Sequence, residues 1–276
     1  MTSATIDTVT KPSRETVSTE ILQQGEIWHV QITRAEVRNC VDRPTADLLE
    51  EAFSKFDQDP TAKVAILSGE GGNFCAGADL KAVASGKQER VNRLNREGAG
   101  PMGISRMQLG KPVIAAVSGY CVAGGIELAL WCDLRVCDST AVFGVFCRRF
   151  GVPLIDGGTV RLPRLIGQSR AMDMILTGRA VEANEAFEWG LANRIELKRP
   201  ALEGALDLAK QLCSLPQRCM RNDRLSVLSQ WGLAEASAIA EEFEYGLNTL
   251  HSGETSQGAQ AFTDGLGRKG KKLSGD

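Results

Sequence analysis

Histidine is nearly absent from this chain of 276 residues, which contains only His29 and His251. Neither stands in a recognisable nucleophile–base motif, so a catalytic site built on a Ser–His or Cys–His pair is not expected. The eight cysteines include no C-x-x-C pair of the kind that zinc sites use, so no metal site is expected. Most of them lie in apolar stretches, which is typical of buried free thiols in a reducing compartment.

An excess of positive charge is also lacking, because 32 Lys and Arg stand against 34 Asp and Glu. A nucleic-acid-binding domain usually shows a clustered basic excess, so no nucleic-acid partner is expected. No apolar run approaches the roughly 20 residues of a membrane helix, so no membrane partner is expected. The N-terminal segment is a poor match to a transit peptide, because Asp7 and Glu15 interrupt it and Arg is scarce. The C-terminus lacks a peroxisomal tripeptide. We therefore expect a location in the cytoplasm or the mitochondrial matrix, without a clear targeting signal.

Strand and helix patterns alternate along the chain, which favours an α/β fold with parallel strands. The sequence predicts four parts: a disordered tail at 1–18, the core at 19–199, a helical region broken near Pro216 at 200–262, and a basic tail at 263–276. Strands are expected at Trp28–Ile32, Val64–Leu67, Val113–Val117, Leu134–Cys137 and Val142–Gly144. Helices are expected at Thr45–Phe56, with Asp42 or Thr45 as its cap, and at Ile126–Trp131.

Two glycine-rich segments each follow an apolar run, Phe74–Lys81 after Val64–Leu67 and Val122–Leu128 after Val113–Val117. Small residues let a ligand approach the backbone closely, and a helix start offers free N–H groups to negative charge. Taken alone, either segment is also compatible with a plain turn between a strand and a helix. The phosphate-loop and dinucleotide-binding glycine patterns are both missing.

Together the two segments resemble the crotonase (enoyl-CoA hydratase/isomerase) superfamily, from about Trp28 to Phe262. The resemblance is closest in Phe74–Lys81, Lys111–Asp133 and Phe143–Gly167, and it extends to Leu176-Thr-Gly-Arg and Gly190-Leu-Ala-Asn-Arg. It implies a spiral of ββα turns with a C-terminal helical region used in trimerisation. It further implies a homotrimer or a dimer of trimers, acyl-CoA substrates, and no cofactor beyond the CoA of the substrate.

The resemblance implies an oxyanion hole made by the N–H groups of Ala78 and Gly124, which would hold a thioester oxygen as enolate charge develops. Glu127 matches the first catalytic glutamate of the hydratases. The second glutamate position falls at Cys147, and a thiol with a reference pKa near 8.5 is a poor replacement. A first-turn glutamate favoured by the helix dipole is the alternative reading of Glu127.

Asp156 precedes Gly157-Gly158-Thr159, the slot where the Δ3,Δ2-enoyl-CoA isomerases carry a glutamate base. We hypothesise that Glu127 and Asp156 face each other across the acyl chain and share the acid/base work. The alternative for Asp156 is an N-cap of the helix starting at Gly157. Arg148 and Arg149 could steer an acidic or polar acyl group, pair with Glu127 or Asp156, or form a salt bridge between subunits.

The remaining candidates would contact the substrate or its CoA, by resemblance only. They are Arg34, Val37, Arg38, Ala76, Asp79, Leu80, Lys81, Tyr120, Gly125 and Cys147, and the tail Lys269–Lys272 could reach the CoA phosphates. Asp79 could equally cap a helix, and the tail could simply be solvated.

Three functions follow from these residues. The first is hydration of a 2-enoyl-CoA to a 3-hydroxyacyl-CoA, and the second is double-bond isomerisation with Asp156 as base. The third is a non-catalytic CoA-binding scaffold that has lost its second glutamate.

Overall fold

The computed structural model describes residues 15–266, which form two sheets and a set of helices. The strands are β1 Val17–Leu22, β2 Ile27–Ile32, β3 Val64–Gly69, β4 Val113–Val117, β5 Tyr120–Val122, β6 Leu134–Asp138, β7 Val142–Gly144, β8 Ala180–Glu182 and β9 Arg194–Glu196. The helices are α1 Arg43–Gln58, α2 Leu80–Ser85, α3 Gly124–Trp131, α4 Gly158–Ile166, α5 Gln168–Thr177, α6 Ala183–Glu188, α7 Ala201–Cys213, α8 Gln217–Ser229, α9 Glu235–His251 and α10 Glu254–Thr263.

The larger sheet has the order β1-β2-β3-β4-β6-β9 and is parallel except for the antiparallel pair β1–β2. The smaller sheet has the order β5-β7-β8. The main core lies on one face of the larger sheet, and α7 covers the opposite face through Ala205, Leu208 and Ala209. The central strands are buried on both faces, which explains why they read as continuous apolar runs.

Successive stretches of the chain repeat one pattern: a strand of the larger sheet, a short extended segment beside the smaller sheet, then a helix. Two parallel bridges, Val41↔Ala78 and Cys75↔Cys121, extend the smaller sheet toward the first two stretches. The chain thus advances as a spiral of ββα turns, as predicted. The turns place Phe74–Lys81 directly beside β5 and the start of α3.

Local sequence signals account for several of these elements. Asp42 caps α1 by accepting a hydrogen bond from the Thr45 N–H at 3.2 Å, and Asp79 caps α2 in the same way. The predicted helical C-terminal region and its break near Pro216 are both present. A second break at 230–234, between α8 and α9, and the strands β1, β5, β8 and β9 were not predicted.

The predicted boundary of the N-terminal tail is wrong. Val17 and Ser18 belong to β1, which pairs with β2 through the backbone, and Val17 is buried. Backbone pairing does not require the apolar periodicity that the first eighteen residues lack. The rest of the predicted tail, residues 1–14, lies outside the described residues, as does the basic tail from residue 267 onward. Within residues 15–266, no helix combines the length and the apolar character needed to cross a membrane.

Candidate active site

The two glycine-rich segments lie side by side. Hydrogen bonds run from Cys75 N–H to the Tyr120 carbonyl at 2.9 Å and from Val122 N–H to the Cys75 carbonyl at 3.0 Å. A Cβ placed on Gly77 would lie 2.9 Å from the Gly124 nitrogen, and one on Gly125 would lie 2.0 Å from the Cys75 carbonyl oxygen. Only glycine permits this approach of the two backbones.

Ala78 and Gly124 both present backbone N–H groups at this junction. Gly77 and Asp79 bond with Val41 on the other side, and Gly124 opens α3, where the first N–H groups have no partner inside the helix. Within residues 15–266, neither the Ala78 nor the Gly124 N–H has a hydrogen-bond acceptor. Ala123 before α3 has φ 55° and ψ −127°, an unusual backbone conformation for a non-glycine residue. The structure brings the predicted pair together, and this geometry supports an oxyanion hole.

Glu127 lies one turn into α3 and is 2% exposed. Its Oε1 accepts hydrogen bonds from Asp156 N–H at 2.9 Å and Gly158 N–H at 2.8 Å. Oε2 accepts no hydrogen bond from any described residue, so this oxygen is available to a water or a substrate. Burial raises the pKa of Glu127 to about 7, and the negative charge of Asp156 adds to the effect. A carboxyl group of this kind can exchange protons near neutral pH.

Asp156 does not cap the following helix, so that alternative is wrong. The N-cap of α4 is Gly157, while Asp156 Oδ1 accepts hydrogen bonds from Met102 N–H at 3.0 Å and from the Ser105 hydroxyl. Burial raises the pKa of Asp156, and the bonds from Ser105 and Met102 oppose that rise. The two carboxylates are thus neighbours in one buried cluster, joined through the Asp156 backbone.

Cys147 is buried in the short 3-10 turn Phe146–Phe150. Burial raises the pKa of its thiol, and the nearby Glu127 charge raises it further, so the thiol stays neutral. Arg148 donates to the Ile175 carbonyl and Arg149 to the Gly178 carbonyl, and both side chains are exposed. The idea that these arginines pair with the carboxylates is therefore wrong for the described chain.

The CoA candidates divide into an inner and an outer group. The guanidinium of Arg34 is buried and bonds the Asp79 carboxylate at 2.8 Å, and Asp79 also caps α2 through Lys81 N–H and Ala82 N–H. These two side chains are committed to the fold, and a CoA contact remains a prediction only for their backbone. Gly125 is buried as well, whereas Ala76 and Val37 are half-buried.

The outer group forms the rim near the glycine segments. Arg38, Leu80 and Lys81 are exposed, and Tyr120 is at the margin of exposure. The Arg38 guanidinium lies 5.0 Å from the centre of the Tyr120 ring, and the Arg38 carbonyl accepts the Ala76 N–H. Their contact with CoA remains a prediction, and this exposed cationic rim is compatible with phosphate groups.

Sequence reasoning missed Met102, Ser105 and Arg161, which contact Asp156. Arg161 Nη1 donates to the Asp156 carbonyl at 2.9 Å. The segment Gly98–Ser105 carries three glycines, all with φ above +80°, and a Cβ on Gly100 or Gly103 would clash with Ser105 or Ala46 respectively. That glycine pattern was the available signal for a third backbone segment at the site.

Comparison with known proteins agrees with this geometry. The Enoyl-CoA hydratase/isomerase family matches residues 23–268. A carnitinyl-CoA dehydratase from Proteus mirabilis is 32% identical over 258 residues, covering 90% of this chain and 95% of the relative. The carnitinyl-CoA dehydratase of Salmonella typhi is 33% identical over 261 residues, with the same coverage.

Solved structures show the same fold. An enoyl-CoA hydratase from Mycobacterium marinum superposes with a TM-score of 0.83 at 31% identity, covering 91% of this chain and 96% of its own. An enoyl-CoA hydratase from Mycobacterium tuberculosis gives a TM-score of 0.83 at 33% identity with the same coverage. The chain therefore belongs to the enoyl-CoA hydratase/isomerase family, has the crotonase-type α/β fold, and is a hydratase-like lyase.

Proposed function

We propose that this enzyme adds water to the double bond of a 2-enoyl-CoA, or removes it from the corresponding 3-hydroxyacyl-CoA. The observation that carries the proposal is Glu127, a buried carboxyl group with a pKa of about 7. Among residues 15–266, one of its oxygens and the nearby Ala78 and Gly124 N–H groups have no hydrogen-bond partner. The relatives named carnitinyl-CoA dehydratase support the dehydration direction for a CoA thioester. CoA carried by the substrate is the only cofactor in the proposal.

Hydration begins with a water hydrogen-bonded to Glu127 Oε2. As the water oxygen bonds to the β-carbon of the substrate, Glu127 accepts a proton, and the electrons of the double bond move to the thioester oxygen. Ala78 N–H and Gly124 N–H stabilise that oxyanion, and one such donor usually contributes about 3 kcal/mol. A proton then returns to the α-carbon.

Cys147 cannot take the place of a second carboxylate in this reaction, because a buried neutral thiol is a weak acid. We assign the second proton transfer to Asp156, directly or through a bound water. Burial raises the pKa of both carboxyl groups, and the charge of Asp156 raises the pKa of Glu127 further, which suits one acid and one base in the same cluster. Ser105 and Met102 hold Asp156 in place for that role.

Isomerisation is the second candidate, and the position of Asp156 directly before Gly157 and Gly158 favours it. Here Asp156 would move a proton along the acyl chain while the same two N–H groups hold the enolate. The buried cluster around Asp156 suits this chemistry as well, and only the reaction itself separates the two candidates.

Absorbance of the conjugated enoyl thioester distinguishes them. Hydration of crotonyl-CoA removes the conjugated band, whereas isomerisation of a 3-enoyl-CoA creates it. We expect loss of the band with wild type, loss of activity by at least about a thousandfold in Glu127→Gln, and a smaller loss in Asp156→Asn. Full turnover in Asp156→Asn beside an inactive Glu127→Gln would end the paired-carboxylate mechanism.

Failure to act on either substrate, with CoA binding retained, would favour the scaffold reading instead. The relatives named above are bacterial proteins, so of the two compartments expected from the sequence we propose only the cytoplasm.

A further inference from the structure

Arg161 joins the two backbone segments that hold Asp156. Its Nη1 donates to the Asp156 carbonyl at 2.9 Å and its Nη2 to the Ser105 carbonyl at 2.7 Å. The side chain crosses over Gly157, where a Cβ would lie 2.4 Å from Nη1. Gly157 also has φ +97°, a conformation that favours glycine, and a Cβ there would force the Arg161 guanidinium to move.

The contacts continue from Asp156 to the catalytic candidate. Asp156 N–H donates to Glu127 Oε1, while the Asp156 carboxylate accepts from Ser105 and Met102. A shift of the Asp156 backbone would therefore lengthen a hydrogen bond to Glu127. The two carbonyl contacts of Arg161 oppose such a shift from both sides.

Arg161 is also the cation that faces both carboxylates. Glu127 is surrounded by Asp156, Cys147 and Arg161, and Asp156 faces Arg106 in addition. Arg161 itself faces Cys132 and Arg164 besides the two carboxylates. No acid of residues 15–266 forms an ion pair with Arg161 within 4 Å, so its half-buried charge is not neutralised by direct contact. A positive charge in this position favours the ionised form of both carboxyl groups.

We propose that Arg161 is a positioning residue, which holds the Asp156 backbone against Glu127 through its contacts with the Asp156 and Ser105 carbonyls and places its positive charge beside both carboxyl groups. This inference rests on the proposed role of Glu127 as the base. The inference gives the charge and the hydrogen bonds of the Arg161 side chain two different effects, which can be measured separately. Removing the charge of Arg161 changes the pH dependence of kcat/KM. Removing one of its two hydrogen bonds to the carbonyls lowers kcat.

The test compares pH profiles of kcat/KM for four enzymes. Arg161→Gln removes the charge, so we expect the rising limb of the kcat/KM profile to shift to higher pH by about one unit. Arg161→Lys keeps the charge but cannot bond both carbonyls in the same geometry, so its limb stays in place while kcat falls by about tenfold. The matched control is Arg164→Gln. Arg164 lies on the next turn of α4, with its guanidinium 4.4 Å from the centre of the Trp231 ring, and the pH profile of this variant should follow that of wild type. If Arg161→Gln does not fold, Arg161→Met keeps the alkyl stem and replaces it.

A direct titration separates this inference from the proposed function. Carbon-13 NMR of glutamate-labelled enzyme, with Glu127→Gln identifying the signal, reports the pKa of Glu127 without substrate. An unchanged titration of Glu127 in Arg161→Gln overturns the inference, whatever the reaction. Retained turnover in Glu127→Gln would overturn the proposed function, and the titration would still decide the role of Arg161.

Discussion

Glu127 and Cys147 show how single residues set the chemistry within a shared fold. Burial raises the pKa of Glu127 to about 7, and two backbone donors fix one of its oxygens. Cys147 falls where the resemblance places the second glutamate of the hydratases, and burial together with the Glu127 charge raises the pKa of its thiol. The proposed mechanism therefore assigns the second proton transfer to Asp156.

The raised pKa of Glu127 predicts a pH-dependent cost in stability. The pKa is about 7 in the folded chain against 4.5 for the free side chain, so folding favours the protonated form. The stabilisation is complete below about pH 4.5 and disappears as the pH rises through about 7. Glu127→Gln lacks this term, and its amide oxygen can accept the same two N–H groups. Its gain in unfolding free energy should therefore be about 2–3 kcal/mol larger at pH 8 than at pH 5.

Urea unfolding at the two pH values measures this difference. Glu244→Gln is the control, because Glu244 is exposed on α9 and its substitution should have the same small effect at both pH values. An equal gain for Glu127→Gln at pH 5 and pH 8 would contradict the buried, proton-binding state of this carboxyl group.

At the scale of elements, the site depends on two glycine segments that different turns of the spiral bring together. Gly77 belongs to the segment that leads to α2, and Gly124 opens α3. The parallel bridge Cys75↔Cys121 fixes the register between the two segments. Because the candidate donors are backbone groups, only changes that displace the chain can weaken them.

Gly77→Ala should therefore impair catalysis. Its Cβ would lie 2.8 Å from the Ala123 Cβ and 2.9 Å from the Gly124 nitrogen, forcing the two donors apart. We expect kcat/KM to fall by about 10²–10³-fold, the usual cost of one misplaced oxyanion donor. Gly72→Ala is a matched control, because Gly72 also has positive φ but a Cβ there would meet no atom within 4 Å.

The control should lose about 1 kcal/mol of stability through backbone strain and keep its activity within about twofold. Steady-state kinetics and urea melts of both variants give the comparison. Equal activity in Gly77→Ala and Gly72→Ala would argue against Ala78 and Gly124 as an oxyanion pair.

For the whole molecule, the C-terminal helices present large apolar side chains on their outer surface. On α9, Ile239, Phe243 and Leu250 are all more than half exposed and recur at spacings of four and seven, which places them on one helix face. Trp231 and Leu233 in the preceding connection are also exposed. An apolar stripe of this kind is typical of a face that packs against another subunit.

We predict that this face mediates the trimer, or dimer of trimers, that the resemblance implies. Sedimentation of wild type should give three or six times the mass of one chain, and Phe243→Glu should reduce it by placing a charge in the apolar contact. Glu244→Ala, next along the same helix and already polar, should leave the mass unchanged. A monomeric wild type would refute this prediction.

The α/β class, the main buried strands and α1 could be predicted from sequence because each depends on local patterns, such as apolar runs and the Asp42 cap. The short strands β5, β8 and β9 were not predicted, although the equally short β7 was, because three residues give a weak local signal and their pairing partners lie elsewhere in the chain. Likewise Ser105 reaches Asp156 across 51 positions of the chain, a contact that no local spacing encodes.

The sequence by itself determined the family, the two glycine segments and the identity of Glu127 and Asp156, because these depend on which residues occur in which order. Only the tertiary structure decided which groups surround those residues. It showed Asp156 as a buried partner of Ser105 instead of a helix cap, committed the side chains of Arg34 and Asp79 to the fold, and paired Arg148 and Arg149 with backbone carbonyls and not with the two carboxylates. Burial and distance set proton affinity and hydrogen bonding, and both arise only when separate turns of the spiral pack together.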